Sequence, residues 1–124
     1  MATTFIGKFY NSNLDIKEIS NKIDRLIKKE IEIGRIPFIT YKISTHNYSD
    51  GKKIKIKILR TSVELFNKRG KTAEYYNLET RLKEIANMYN KILFDEDKKE
   101  LSQFFRVSIE LSKDIYSLSI HATI

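Results

Sequence analysis

The segment Lys53–Arg60, KIKIKILR, alternates apolar and cationic residues without a break. Successive side chains of a strand point to opposite faces. Ile54, Ile56 and Ile58 therefore share one side, and Lys53, Lys55 and Lys57 share the other. A sheet strand with one buried and one wet face suits that pattern, and a helix does not. A chain carrying this strand must build a sheet and cover one side of it.

Material for the cover lies upstream. Between Asp15 and Ile33, the residues Ile16, Ile19, Ile23, Leu26, Ile27 and Ile31 recur every three or four positions among charged and amide side chains. This spacing predicts an amphipathic helix. Asn13 or Asp15 is placed to cap it, with Glu18 three residues after Asp15 as in a capping box. Gly34 ends it, and Pro37 opposes continuation. A second helix is expected from Tyr75 to about Asn90, with Leu78, Leu82, Ile85 and Tyr89 as its stripe.

Other segments read as strands. Thr4–Tyr10 is β-prone, with Phe5 and Phe9 on one parity, and Asn11–Asn13 is turn chemistry. Phe38–Thr45 places Ile39, Tyr41 and Ile43 on one side and Phe38, Thr40, Lys42 and Ser44 on the other. It should form a hairpin with Lys53–Arg60 across the turn His46–Gly51, where Asp50-Gly51 suits a positive φ. Thr61–Thr72 holds the basic loop Asn67–Lys71, and Asp95–Glu100 is a charged connection. A last hairpin is expected. Phe105, Val107, Ile109 and Leu111 share one face, Phe104, Arg106, Ser108 and Glu110 the other, and the strand returns through Tyr116, Leu118, Ile120 and Ala122 after a turn at Lys113-Asp114.

The expected order is β-α-β-β-α-β-β, in a single domain over residues 1–124. The expected class is α+β: a two-layer fold with a mainly antiparallel sheet of about five strands and two helices on one face. The 124 residues are 41% hydrophobic and 31% charged, a composition that suits one soluble folded domain.

Several kinds of chemistry drop out. With no cysteine there are no disulfides, thiolate metal sites or cysteine nucleophiles, and a reducing cytosol is the natural compartment. No apolar run approaches membrane-spanning length, and residues 1–5 lack a basic-then-apolar leader pattern, so the expectation is a cytoplasmic protein with no membrane partner. Gly70-Lys71-Thr72 resembles the tail of a phosphate-binding loop, but the earlier glycine is missing. His46 and His121 lie in different elements, and Asp95-Glu96-Asp97 lacks calcium-loop spacing, so neither metal nor cofactor is expected. His46 lies close to Ser44, Ser49 and Asp50, which allows a base–hydroxyl pair; the alternative is a hairpin-tip histidine among turn formers.

The net charge of +7 attracts polyanions and opposes a DNA-mimic reading. The candidate binding residues are Lys42, Lys53, Lys55, Lys57 and Arg60, on two adjacent strands. Lys52 lies at the turn, and Lys68, Arg69 and Lys71 extend the patch if their loop lies alongside. Alternate strand lysines stand about 7 Å apart, close to the phosphate repeat of an extended strand. The competing reading is a solvated face that blocks edge pairing, in a chain whose Ile, Lys, Asn and Glu content suggests A+T-rich coding. Tyr48, Phe38 and Phe104 are the aromatic candidates beside the lysines.

The segment Leu14–Leu59 resembles one of the large polyvalent-protein-associated domains of phages and mobile elements. Ile16–Glu30 matches that family's helix and Tyr41-Lys42-Ile43-Ser44 its first strand. Tyr48-Ser49-Asp50-Gly51 matches its turn, and Ile54–Ile58 its alternating second strand. Asp50 stands where the family has a glycine, and the aspartate-rich segment that follows in the family is not recognisable in Thr61–Thr72. The resemblance implies an origin in a phage, virus or plasmid and transfers no catalytic residue.

The expected function is therefore a non-enzymatic accessory protein in the host cytoplasm. Its partner would be a host protein or ribonucleoprotein, such as a CRISPR-type defence complex. Direct binding of DNA or RNA is the alternative, and an enzyme or nucleotide sponge near His46 is a third. An exposed strand edge offers a route to a homodimer.

Overall fold

A computed structural model describes residues 2–115. The elements are β1 (Thr3–Ile6), α1 (Ile16–Glu32), β2 (Ile39–Tyr48), β3 (Gly51–Thr61), β4 (Phe66–Asn67) and β5 (Gly70–Lys71). These are followed by α2 (Ala73–Asn87), β6 (Lys91–Phe94), β7 (Glu100–Gln103) and β8 (Arg106–Leu111). The class is α+β.

The alternating strand lies at the centre of a three-stranded sheet of order β2-β3-β8. Ile54, Ile56 and Ile58 are fully buried. They join one apolar cluster with Ile19, Ile23 and Ile27 of α1 and Leu78, Leu82 and Ile85 of α2, so both helices cover the same face. Burying each such isoleucine contributes about 2 kcal/mol relative to exposure.

Local chemistry sets the helix ends. Asp15 caps α1 by accepting from the Glu18 amide at 2.8 Å. At the other end Gly34, at φ +82°, donates to the Ile31 carbonyl, and the Arg35 amide donates to Glu30. That pair of bonds is a Schellman stop. Thr72 caps α2, accepting from the Tyr75 amide at 3.2 Å.

The expected single sheet of about five strands is not what forms. β1, β6 and β7 make a separate antiparallel sheet, β1-β6-β7, and β4-β5 is a miniature ladder of its own. The first strand, expected to reach Tyr10, stops at Ile6. The cause is Gly7, which lies so close to the end of α2 that a Cβ there would meet the Asn87 carbonyl at 2.2 Å. The Gly7 amide donates to Asn90 and the Phe9 amide to Met88, which turns the chain out of strand geometry. Helix α2 ends at Asn87, and Lys91–Phe94 leaves it as a strand beside β1.

The expected last hairpin also takes another form. β8 pairs with β3 in parallel, with Lys53 beside Arg106 and Ile58 beside Leu111. Lys113-Asp114, expected as a turn, begins a helical stretch over residues 113–115. The proposed return strand through Tyr116, Leu118, Ile120 and Ala122, and with it His121, lies outside the described residues.

Buried Asn90 ties the two sheets together. Its side-chain amide donates to the Phe105 carbonyl and the Asn87 side chain, and its carbonyl oxygen accepts from the Lys91 and Phe105 amides. No helix among the described residues is long and apolar enough to cross a membrane.

Candidate polyanion-binding face

The outward face of β2-β3-β8 follows from strand parity and register. Lys42 lies opposite Lys57, Ser44 opposite Lys55, and His46 opposite Lys53. On the other flank, Arg106 neighbours Lys53, Ser108 neighbours Lys55, and Glu110 neighbours Lys57. Lys42, Lys53, Lys55, Lys57 and Arg106 thus share one face with the carboxylate of Glu110. Among the described residues both helices lie on the opposite face, and on this one Lys42 and Arg106 are exposed while Lys53, Lys55 and Lys57 are half-buried.

Two of these neighbour relations join like charges, Lys42 with Lys57 and Lys53 with Arg106. Like charges on adjacent strands cost stability, and alternating signs would have solvated the face as well. Partial compensation is present. Lys55 Nζ lies 3.4 Å from Glu110, and Arg106 lies 3.4 Å from Asp50 at the rim. Among the described residues, Lys42, Lys53 and Lys57 form no ion pair within 4.0 Å.

Arg60 lies opposite Thr40, which shares the parity of Lys42, so the bulge between Thr40 and Tyr41 keeps it on the lysine face at the far end of the ribbon. The remaining sequence candidates scatter. Lys52 is on the other parity, opposite Asn47, and its ammonium sits 5.4 Å from the Phe104 ring centre. Lys68 and Arg69 form the exposed tip of β4-β5. Lys71 lies over the Tyr75 ring at 4.6 Å, which holds that loop against the start of α2. The anchor is Thr72, whose hydroxyl donates to the Glu64 carbonyl at 2.7 Å while capping the helix. Gly70-Lys71-Thr72 is thus a strand end and a helix cap.

Of the aromatic candidates, Phe104 packs edge-on against Tyr10. Phe38 is 62% exposed immediately before β2. Tyr48 ends β2 on the lysine face, opposite Gly51, with its ring stacked on His46 at 5.8 Å. His46 Nε2 shares a 3.3 Å hydrogen bond with Ser44 Oγ. Among the described residues no carboxylate is hydrogen-bonded or ion-paired to the His46 ring, whereas the base of a catalytic triad is oriented by one. The Asp95 carboxylate accepts from the Asp97 and Lys99 amides, which makes it a turn former.

Arg106 is the residue sequence reasoning missed. Its outward parity was readable, but nothing local placed its strand beside the lysines.

No family model, curated protein or solved structure matches this chain.

Proposed function

We propose that this chain is a non-enzymatic accessory protein that docks the open face of β2-β3-β8 on the nucleic-acid component of a host complex. The observation that carries the reading is the like-charge pairing of Lys42 with Lys57 and of Lys53 with Arg106 on the sheet face turned away from both helices. This arrangement costs the free protein stability, and the cost is relieved when a polyanion lies across it. The extended spacing of about 7 Å along each strand suits successive phosphates better than a compact anion. The resemblance of Leu14–Leu59 to a phage and mobile-element domain supplies the setting, a host defence ribonucleoprotein in the host cytoplasm.

The test is capture from host lysate on immobilised protein, with and without nuclease, beside a Lys53→Glu/Lys55→Glu/Lys57→Glu variant. The expected result is a retained ribonucleoprotein or nucleic acid, lost on nuclease treatment and absent from the variant. A partner retained equally by the variant would overturn the assignment of this face. A partner that needs the lysines but survives nuclease would replace nucleic acid with an acidic protein surface.

A further inference from the structure

The end of the ribbon at the β2-β3 turn differs from the rest of the face. Tyr48 and His46 stand two residues apart on the same side of β2, with rings inclined by only 7°. Ser44 holds the imidazole from behind through the 3.3 Å contact to Nε2. His46 thus backs Tyr48, while the tyrosine remains 48% exposed. Beside it lies a recess of about 470 Å³ lined by Tyr48, Asp50, Lys53, Arg106, Val107 and Ser108. Two cations, Lys53 and Arg106, therefore flank an exposed aromatic ring, and Asp50 steadies Arg106 at 3.4 Å. The volume is in the range of small-ligand sites and has room for one nucleotide unit.

We propose that this corner is a stacking platform that selects single-stranded nucleic acid, with one unpaired base on Tyr48 and its flanking phosphates on Lys53 and Arg106. The inference rests on the polyanion reading of the face and adds the substrate class. A duplex keeps its bases stacked inside and presents no free π-face to Tyr48. A single strand does, and each base stacked on an aromatic side chain strengthens binding by about tenfold or more. The backing by His46 restricts the tyrosine before binding, which lowers the ordering cost.

The test is equilibrium binding of three labelled 12-mers: a thymidine strand, an abasic strand with the same phosphates, and a duplex. Wild type should bind the thymidine strand about tenfold more tightly than the abasic one, and more tightly than the duplex. Tyr48→Ala should erase the preference for the thymidine strand over the abasic one. Tyr48→Phe, which keeps the ring, should retain it. Equal wild-type affinity for thymidine and abasic strands, a preference for duplex, or a preference that survives Tyr48→Ala would overturn the platform. In those outcomes, salt-sensitive abasic binding still upholds the polyanion face. Failure to bind any of the three at low salt would overturn both.

Discussion

Glu30 is the most buried charge of the described chain, at 4% exposure, and sits where α1 meets α2. Arg81 of α2 grips one carboxylate oxygen, and Arg35, just past the Schellman stop, lies 3.5 Å from the other. Removing the carboxylate strands the partly buried Arg81, so Glu30→Ala should lower stability by about 2–3 kcal/mol in urea unfolding. Asn90 carries a comparable burden. Asn90→Ala leaves the Phe105 amide and carbonyl without partners in the interior and should cost about 3 kcal/mol. Tyr41 is a milder case. Burial, the hydrogen bond to Asp24 and that carboxylate's charge push its phenol above the ordinary tyrosine value. A raised phenol pKa adds stability that is complete below the ordinary tyrosine range and is lost as the pH rises through the folded value. Alkaline unfolding should reveal that contribution, and Tyr41→Phe should remove it. None of these roles was legible in the sequence. Glu30 reads there as one more polar position on a helix, and the partners of Asn90 are distant along the chain.

At the element scale, legibility tracked how local the governing pattern is. The alternation of β3 and the three-to-four spacing of α1 are each settled within one element, and Asp15 and Gly34 act within four residues of the ends they set. Strand order is not local. β8 lies beside β3 only after α2, β6 and β7 have intervened, and parallel pairing leaves no turn signature between the partners. Four-residue strands such as β6 are too short for a period to declare itself, and KILF continues the apolar spacing of α2. The inner and outer faces of the β2-β3 hairpin should respond in opposite ways to substitution. Ile56→Ala should cost about 3–4 kcal/mol in thermal or urea unfolding, because the side chain is fully buried. Lys42→Glu replaces a like-charge pair with an opposite one across from Lys57. It should stabilise the free protein by about 0.5 kcal/mol while weakening polyanion binding. A loss of stability in that variant would show that the lysine face serves folding.

Among the described residues the two three-stranded sheets join around Asn90, with α1 and α2 on one side of β2-β3-β8 and a cationic surface on the other. The candidate site was half legible. Lys42, Lys53, Lys55 and Lys57 share a face because parity is written in β2 and β3, whereas Arg106 joined it through tertiary order. The Lys68–Lys71 loop left it because Thr72 was needed as a helix cap. The central claim, that the ribbon binds a polyanion, is tested most directly by the salt dependence of single-strand affinity, compared between wild type and Lys53→Glu/Lys55→Glu/Lys57→Glu. With four or five phosphates neutralised, the logarithm of the wild-type binding constant should fall linearly with log salt at a slope of about −3. The variant should bind far more weakly, with a flattened slope. No wild-type binding at low salt, or equal slopes in the two proteins, would contradict the account.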